Sequence, residues 1–223
     1  MSTILLRLAG PLQSWGIDSK FDVRKTERIP TKSGVVGLVA SALGRSRQED
    51  IADVASLRFG VRMDKAGTVI RDFHTAKSEK DAYVTERYYL ADAIFLVGLE
   101  GDDMLLGKID AALHRPAFPL FLGRRSCPPA EEVDLGIRQG MSLEDALAGE
   151  GWLGRSGDSP FKLRCIVESK GSEGYLVRDF PITFAPEHRM YAYRHVHEYK
   201  VAGKGSEVVP DVTEQDAFAH LEE

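Results

Sequence analysis

Three loop segments in the first 128 residues combine glycines with hydroxyl, amide and cationic side chains. They are residues 10–16 (GPLQSWG), 24–34 (RKTERIPTKSG) and 122–127 (LGRRSC). Glycine lets the backbone approach a ligand closely, and cationic or hydroxyl side chains bond to phosphate and ribose oxygens. The three segments therefore predict a site that grips phosphates and riboses.

The second segment leads into an apolar run, residues 35–43, which predicts a helix. Lys32, Ser33 and Gly34 would then lie at its N-terminus, where free N–H groups and the helix dipole favour an anion. The alternative is that Ser33 only caps the helix and Lys32 is solvated. The segment lacks the glycine spacing and GK[ST] order of a P-loop, so nucleotide hydrolysis is not expected.

Taken in order, the motifs GPLQSWG, PTKSGVVGLVA, FGVRMD, DFHT and LGRRSC resemble the CasD family, the type I-E CRISPR-associated Cascade subunit that caps the 5′ handle of the guide RNA. The resemblance covers residues 3–128 and is looser over 161–199. It implies a non-catalytic subunit that holds the 5′ handle of CRISPR RNA and joins the backbone subunit to the large subunit. Target DNA would be reached only through the complex.

Two arginines after a predicted strand, Arg124 and Arg125, could converge with Ser126 on a phosphate or a splayed base. The alternative is a surface pair that meets nearby carboxylates. Trp15 could stack a base or simply pack, and Tyr88 and Tyr89 should point to opposite faces of a strand. The RNA-binding residues expected from the motifs and the resemblance are Gln13, Ser14, Trp15, Arg24, Thr26, Thr31, Lys32, Ser33, His74, Arg87, Tyr88, Gly123, Arg124, Arg125 and Ser126.

A histidine near a ribose hydroxyl is the usual general acid or base of metal-independent RNA cleavage, which makes His74 a catalytic candidate. The resemblance implies that some related subunits cut repeat RNA with a Tyr, Lys and His set, and no Lys–His pair here matches that set. We expect His74 to form hydrogen bonds and expect no catalytic residue. His195 and His197 alternate on one strand face but lack a carboxylate or cysteine at ligand spacing, so neither a metal nor a cofactor is expected.

The net charge of −5 conceals an asymmetry. Residues 1–128 hold 19 lysines and arginines against 16 acidic residues, whereas residues 129–223 hold 10 against 18. This distribution permits RNA binding without demanding it. Two alternatives stay open: a metal-independent endoribonuclease that processes repeat RNA, and a protein interaction module with no RNA role. The sequence has no signal-peptide pattern and no apolar run of membrane-spanning length, so a cytoplasmic protein without a membrane partner is expected.

The predicted elements indicate an α+β fold with a ferredoxin-like βαββαβ domain of the RRM/RAMP type over residues 1–128. They are a strand at 3–9, helices at 35–43 and 48–57, a hairpin of 58–64 with 68–73, a polar excursion at 76–87, a strand at 88–99, a helix after Asp102 and a strand at 118–122. The resemblance implies that the excursion is a thumb-like insertion. Residues 129–223 predict a smaller β-rich region with a helix begun by Ser142, paired strands at 161–168 and 174–181, and an alternating strand at 189–201.

Overall fold

The computed structural model describes residues 1–16, 23–77, 82–154 and 162–203. The strands are β1 (Ser2–Ala9), β2 (Leu12–Gln13), β3 (Val23–Arg24), β4 (Arg58–Lys65), β5 (Thr68–Lys77), β6 (Ala82–Ala91), β7 (Ile94–Gly101), β8 (Asp134–Arg138), β9 (Lys162–Glu168), β10 (Tyr175–Thr183) and β11 (Met190–Ala202). The helices are α1 (Lys32–Ala42), α2 (Ala52–Ser56), α3 (Asp103–His114) and α4 (Leu143–Gly149). This composition confirms the predicted α+β class.

The larger sheet has seven strands in the order β10-β11-β9-β4-β7-β1-β8, and each neighbouring pair is antiparallel. Strand β7 lies between β4 and β1, which are connected through α1, and β8 follows α3 at the far edge. The order β4-β7-β1-β8 with these two helices is the predicted ferredoxin-like arrangement.

The strand predicted at 118–122 is wrong, and β8 takes its place beside β1. Pro119 has no N–H for a strand ladder. The N–H of Leu122 instead donates to Cys127 O at 2.7 Å, closing a tight loop. This loop carries the LGRRSC motif to the same end of the sheet as residues 10–16.

The second sheet is built on a hairpin of β5 and β6, paired in register from Thr68 with Ala91 to Lys77 with Ala82. The predicted hairpin of 58–64 with 68–73 is therefore wrong, because β4 pairs with β7 and β9. The irregular excursion predicted at 76–87 is also wrong where the structure describes it, because residues 76–77 belong to β5 and residues 82–87 belong to β6. Residues 78–81 lie outside the described part of the chain. The single strand predicted at 88–99 is two strands, separated at Asp92, whose φ is 53°.

Alternating side chains of β1 supply two cores. Ile4, Leu6 and Leu8 pack into the larger core with α1, α2 and α3, whereas Leu5 faces α4. Gly98 allows α4 to lie close to the sheet, because a Cβ there would stand 2.5 Å from a methyl of Leu143. The sheet is therefore covered by helices on both faces.

The three predicted C-terminal strands are confirmed as β9, β10 and β11. The predicted pairing of 161–168 with 174–181 is wrong, because β11 lies between β9 and β10 and pairs with both. The predicted start of α4 is confirmed as well, because Ser142 Oγ accepts from the N–H of Asp145 at 3.2 Å. Strand β9 pairs with β4, so the predicted domain at 1–128 and the predicted region at 129–223 contribute strands to one sheet. The division of the chain after residue 128 stays a prediction.

Candidate RNA-binding groove

The three loop segments meet around one groove with a volume of about 1050 Å³. Among the described residues, its lining contains no aspartate or glutamate. The arginines that line it are Arg24, Arg45, Arg47, Arg124, Arg125 and Arg189. Arg45 is paired with Asp53, and the other five guanidinium groups form no ion pair with a described carboxylate, so they create a positive potential that attracts anions. The chain thus presents a cationic groove although its net charge is −5.

Backbone hydrogen bonds hold the loops together. The N–H of Ser14 donates to Leu122 O at 3.0 Å, and the N–H of Glu27 donates to Trp15 O at 2.9 Å. Gly123 has a φ of 86°, and a Cβ on it would lie 1.8 Å from Ser14 O. The close approach of the first and third segments therefore requires glycine at this position.

The Trp15 side chain packs inside the protein and is 1% exposed. Its Nε1–H donates to Gln13 Oε1 at 3.0 Å, and Gln13 Nε2 donates to Leu8 O and Ala93 O. Of the two alternatives for Trp15, the structure supports packing over base stacking. The expectation that Gln13 contacts RNA is wrong, because its amide is fully buried and bonded within the protein.

Lys32 lies in the interior, 0% exposed. Its Nζ is 2.7 Å from Glu168 Oε2, and its backbone N–H donates to Asp179 Oδ2 at 2.7 Å. Burial lowers the pKa of Lys32, and Glu168 opposes that effect. An anion is present at the N-terminus of α1 as predicted, but it is a carboxylate of the same chain, and the expected phosphate contact of Lys32 is wrong.

The cap of α1 is Thr31, whose Oγ1 accepts from the N–H of Gly34 at 3.2 Å. Ser33 Oγ donates to Thr31 Oγ1 at 3.4 Å, so Ser33 is not the cap. Thr31 and Ser33 both line the groove. Thr26 holds the loop from the other side, because its Oγ1 accepts from the Trp15 N–H at 2.9 Å.

Arg124 is anchored and Arg125 is exposed. Arg124 Nη2 donates to Arg24 O at 2.9 Å, and its guanidinium lies 4.7 Å from the centre of the Tyr89 ring. Its Nη1 is buried with no hydrogen-bond partner in the part of the chain that the structure describes. Arg125 is exposed in the groove lining, whereas Ser126 is exposed but lies outside the lining. Neither arginine forms an ion pair with a described carboxylate, so the surface-pair alternative is not supported.

The three remaining candidates lie on the β5–β6 hairpin, outside the groove lining. Arg87 is opposite Asp72, and His74 Nε2 is 2.6 Å from Asp72 Oδ2. Tyr89 is 3% exposed, while Tyr88 is half-buried with its hydroxyl 3.2 Å from Glu86 Oε2. These two tyrosines have the opposite orientations that strand geometry predicts. Arg87 shares the face of Tyr89, on which Arg124 lies.

Comparison with known proteins supports one family. A family model described as CRISPR-associated protein (Cas_Cas5) matches residues 3–197. The chain belongs to this family. It is 34% identical to an Escherichia coli (strain K12) protein named CRISPR system Cascade subunit CasD over 169 residues, which cover 66% of this chain and 75% of that protein. The CasD resemblance predicted from the motifs is confirmed.

Two solved structures are similar over most of the chain. One, described as a crystal structure of a Cas protein, is 44% identical with a TM-score of 0.74, covering 90% of this chain and 95% of the other. A second comes from a CRISPR RNA-guided surveillance complex and is 29% identical with a TM-score of 0.76, covering 90% of each chain. Across the four described ranges, no helix combines the length and the apolar character needed to cross a membrane.

The motif analysis missed several groove residues that come from elsewhere in the fold. They are Arg45 and Arg47 after α1, Phe118 and Phe121 before the LGRRSC loop, and Phe184, Arg189 and Tyr191 at the β10–β11 turn. The Arg-Ser-Arg triplet at 45–47 was a visible cationic signal. Arg189 and Tyr191 gave no such signal, because they reach the groove through the long-range pairing of β11 with β10 and β9.

A possible ligand cluster lies outside the groove, where Asp110, His114 and Asp134 group at the end of α3. His114 Nδ1 is 3.0 Å from Asp110 O and 3.3 Å from Asp134 Oδ2. These contacts raise the pKa of His114 and join α3 to β8. His197, considered above as a metal ligand, has its Nδ1 3.1 Å from Ser169 Oγ.

Proposed function

We propose that the protein is a non-catalytic Cascade subunit of the type I-E class that holds the 5′ handle of CRISPR RNA in the six-arginine groove. The observation that carries this proposal is the concentration of arginines, without a described acidic residue in the lining, in a chain of net charge −5. A cation excess that is local to one concavity is what an electrostatic site for phosphates requires. The family and the relative named as a Cascade subunit agree with it.

Arginine suits this task because its planar fork bonds two phosphate oxygens or stacks on a base. Ser14, Thr31 and Ser33 add hydroxyl and backbone groups at the groove wall. Arg124 is held in place by Tyr89 and Arg24 O, so its orientation is set before RNA arrives. A pre-organised guanidinium loses little freedom on binding.

The β5–β6 hairpin is proposed as the thumb. Phe73 is 55% exposed and Val84 is 56% exposed, although strands of a single protein usually bury such side chains. Exposed apolar side chains on a two-stranded projection suit contact with a neighbouring subunit. This surface supports a role in linking the backbone subunit and the large subunit. Target DNA would then be contacted only through the assembled complex, and the proposed location of that complex is the cytoplasm.

The groove lining is poor in side chains that transfer protons, with Tyr191 as the one tyrosine among its described residues, which supports a binding role. Among its described lining residues there is no histidine, lysine or carboxylate. His74 lies beside Asp72 but stands on the hairpin, outside the groove lining. RNA cleavage without a metal needs a general base within hydrogen-bond reach of the attacking hydroxyl. Repeat processing by this chain is therefore the weaker alternative.

The test is binding and cleavage measured on the same samples. Purified protein is titrated with handle-bearing RNA over a salt series, and labelled repeat RNA is incubated with it in EDTA. We expect salt-dependent binding without cleavage, and weaker binding by Arg125→Glu than by the control Arg178→Glu, whose exposed side chain lies outside the groove. Equal loss in both variants would contradict the groove. Cleavage would contradict the non-catalytic role.

A further inference from the structure

The groove has a second wall, which the motif segments do not supply. We define this far wall as Arg47, Phe118 and Arg189. Its segments are tied to the body of the fold: the N–H of Ala117 donates to Ala42 O at 2.9 Å, and the N–H of Arg45 donates to Ala40 O at 2.9 Å. Both bonds end on carbonyls in the last turn of α1. The segments that carry Arg47 and Phe118 are therefore positioned by a buried helix.

Phe118 is a large apolar side chain left open to solvent. It is 53% exposed and stands in the lining of a cationic groove, next to Pro119 and Phe121. Exposed aromatic rings beside guanidinium groups are typical of sites that bind unpaired nucleic acid, because each base has a face that stacks on a ring. In a duplex that face is covered by the neighbouring base.

The arginines of the groove are not equivalent. Arg45 forms a two-pronged ion pair with Asp53, and that pair lowers the pKa of Asp53. Arg47 and Arg189 are exposed, and neither forms an ion pair with a carboxylate in the described ranges. Phosphate contacts on the far wall would therefore come from Arg47 and Arg189, whereas Arg45 is already neutralised.

We propose that the far wall binds an unpaired RNA segment, with one base stacked on Phe118 and phosphates held by Arg47 and Arg189. The inference rests on the proposed function and deepens it, since it assigns a base-stacking residue and two phosphate contacts that the motif segments do not supply. The far wall would add these contacts to those of Arg124 and Arg125, which line the same groove.

The test uses handle-bearing RNAs that each carry 2-aminopurine at one position, because stacking changes the fluorescence of this base. Phe118→Ala should abolish the stacking signal at one position and weaken binding by about tenfold, while the salt slope stays unchanged. Phe118→Tyr should restore both. Tyr193→Ala removes a ring that is 64% exposed and outside the groove, and it should change neither.

Arg189→Ala should lower the slope of log affinity against log salt by about 0.7, as expected for one phosphate on a single strand. Arg178→Ala is its matched control and should leave the slope unchanged. If wild-type protein binds RNA and Phe118→Ala keeps every 2-aminopurine signal and its affinity, the far wall is not an RNA surface. If wild-type protein binds no RNA, the proposed function itself is wrong.

Discussion

The backbone N–H of Lys32 donates a 2.7 Å hydrogen bond to Oδ2 of Asp179. The same carboxylate receives Arg194 Nε at 2.5 Å and Nη2 at 2.8 Å, and Lys32 Nζ pairs with Glu168. A buried charge cluster thus ties the N-terminus of α1 to β9, β10 and β11. It explains why the groove wall formed by α1 stays fixed relative to the strands that bring Arg189 into place.

Lys32→Glu should unfold or strongly destabilise the protein, by about 3 kcal/mol or more, because it places a second carboxylate beside Glu168 in the interior. Lys108→Glu is the control, since that lysine is exposed on α3. Lys32→Met should fold more readily, with wild-type RNA affinity in its folded fraction. Urea unfolding and RNA titration measure both effects. A folded Lys32→Met protein with a reduced salt slope would restore the phosphate-contact interpretation.

Gly123→Ala should disrupt the close contact between the first and third loop segments. A side chain there combines an unfavourable φ of 86° with a 1.8 Å approach to Ser14 O, so we expect a loss of about 1–3 kcal/mol in stability and weaker RNA binding. Gly107→Ala on α3 meets nothing within 4 Å and should stabilise slightly. A thermal melt distinguishes the two, and equal melting of both variants would contradict this contact.

Local patterns predict much of the fold. The apolar run of β1, the cap and stripe of α3 and the alternation in β11 are visible within a few residues, and so is the ferredoxin-like order. The strand predicted at 118–122 failed because apolar content outweighed Pro119. At the site, the buried contacts of Lys32 could not be predicted, because its partners Asp179 and Glu168 are 147 and 136 residues away along the chain. No local pattern encodes such partners.

Arg124 and Arg125 should separate binding from stability. Arg125→Ala removes an exposed cation, so it should weaken RNA binding and lower the salt slope by about 0.7 without changing the melt. Arg124→Ala should also lower stability, because it removes the contacts with Tyr89 and Arg24 O. Paired melts and titrations check this. Identical stability of the two variants would contradict the anchoring role of Arg124.

The ion pair of Arg58 with Glu144 should make the stability of the protein depend on pH. The Arg58 guanidinium lowers the pKa of Glu144 from 4.5 to about 2. Because the folded pKa lies below the unfolded one, the stabilisation is complete above about pH 5 and disappears as the pH falls towards 2. The carboxylate is 35% exposed, so we expect about 1 kcal/mol at neutral pH.

Glu144→Gln should remove that part of the pH dependence, and urea unfolding at pH 7, 4, 3 and 2 measures it. Wild type and variant should differ at pH 7 and converge near pH 2. Curves that stay parallel down to the lowest pH would show that Glu144 titrates as an ordinary exposed carboxyl.

The most direct measurement of the central claim is photo-crosslinking of handle-bearing RNA containing 4-thiouridine, followed by mass spectrometry of the linked peptides. RNA held in the six-arginine groove should link to peptides containing residues 118–125 and 184–191, with yields that fall in Arg125→Glu and persist in Arg178→Glu. Crosslinks found instead on α3 or α4, with the groove peptides unlinked, would contradict the account.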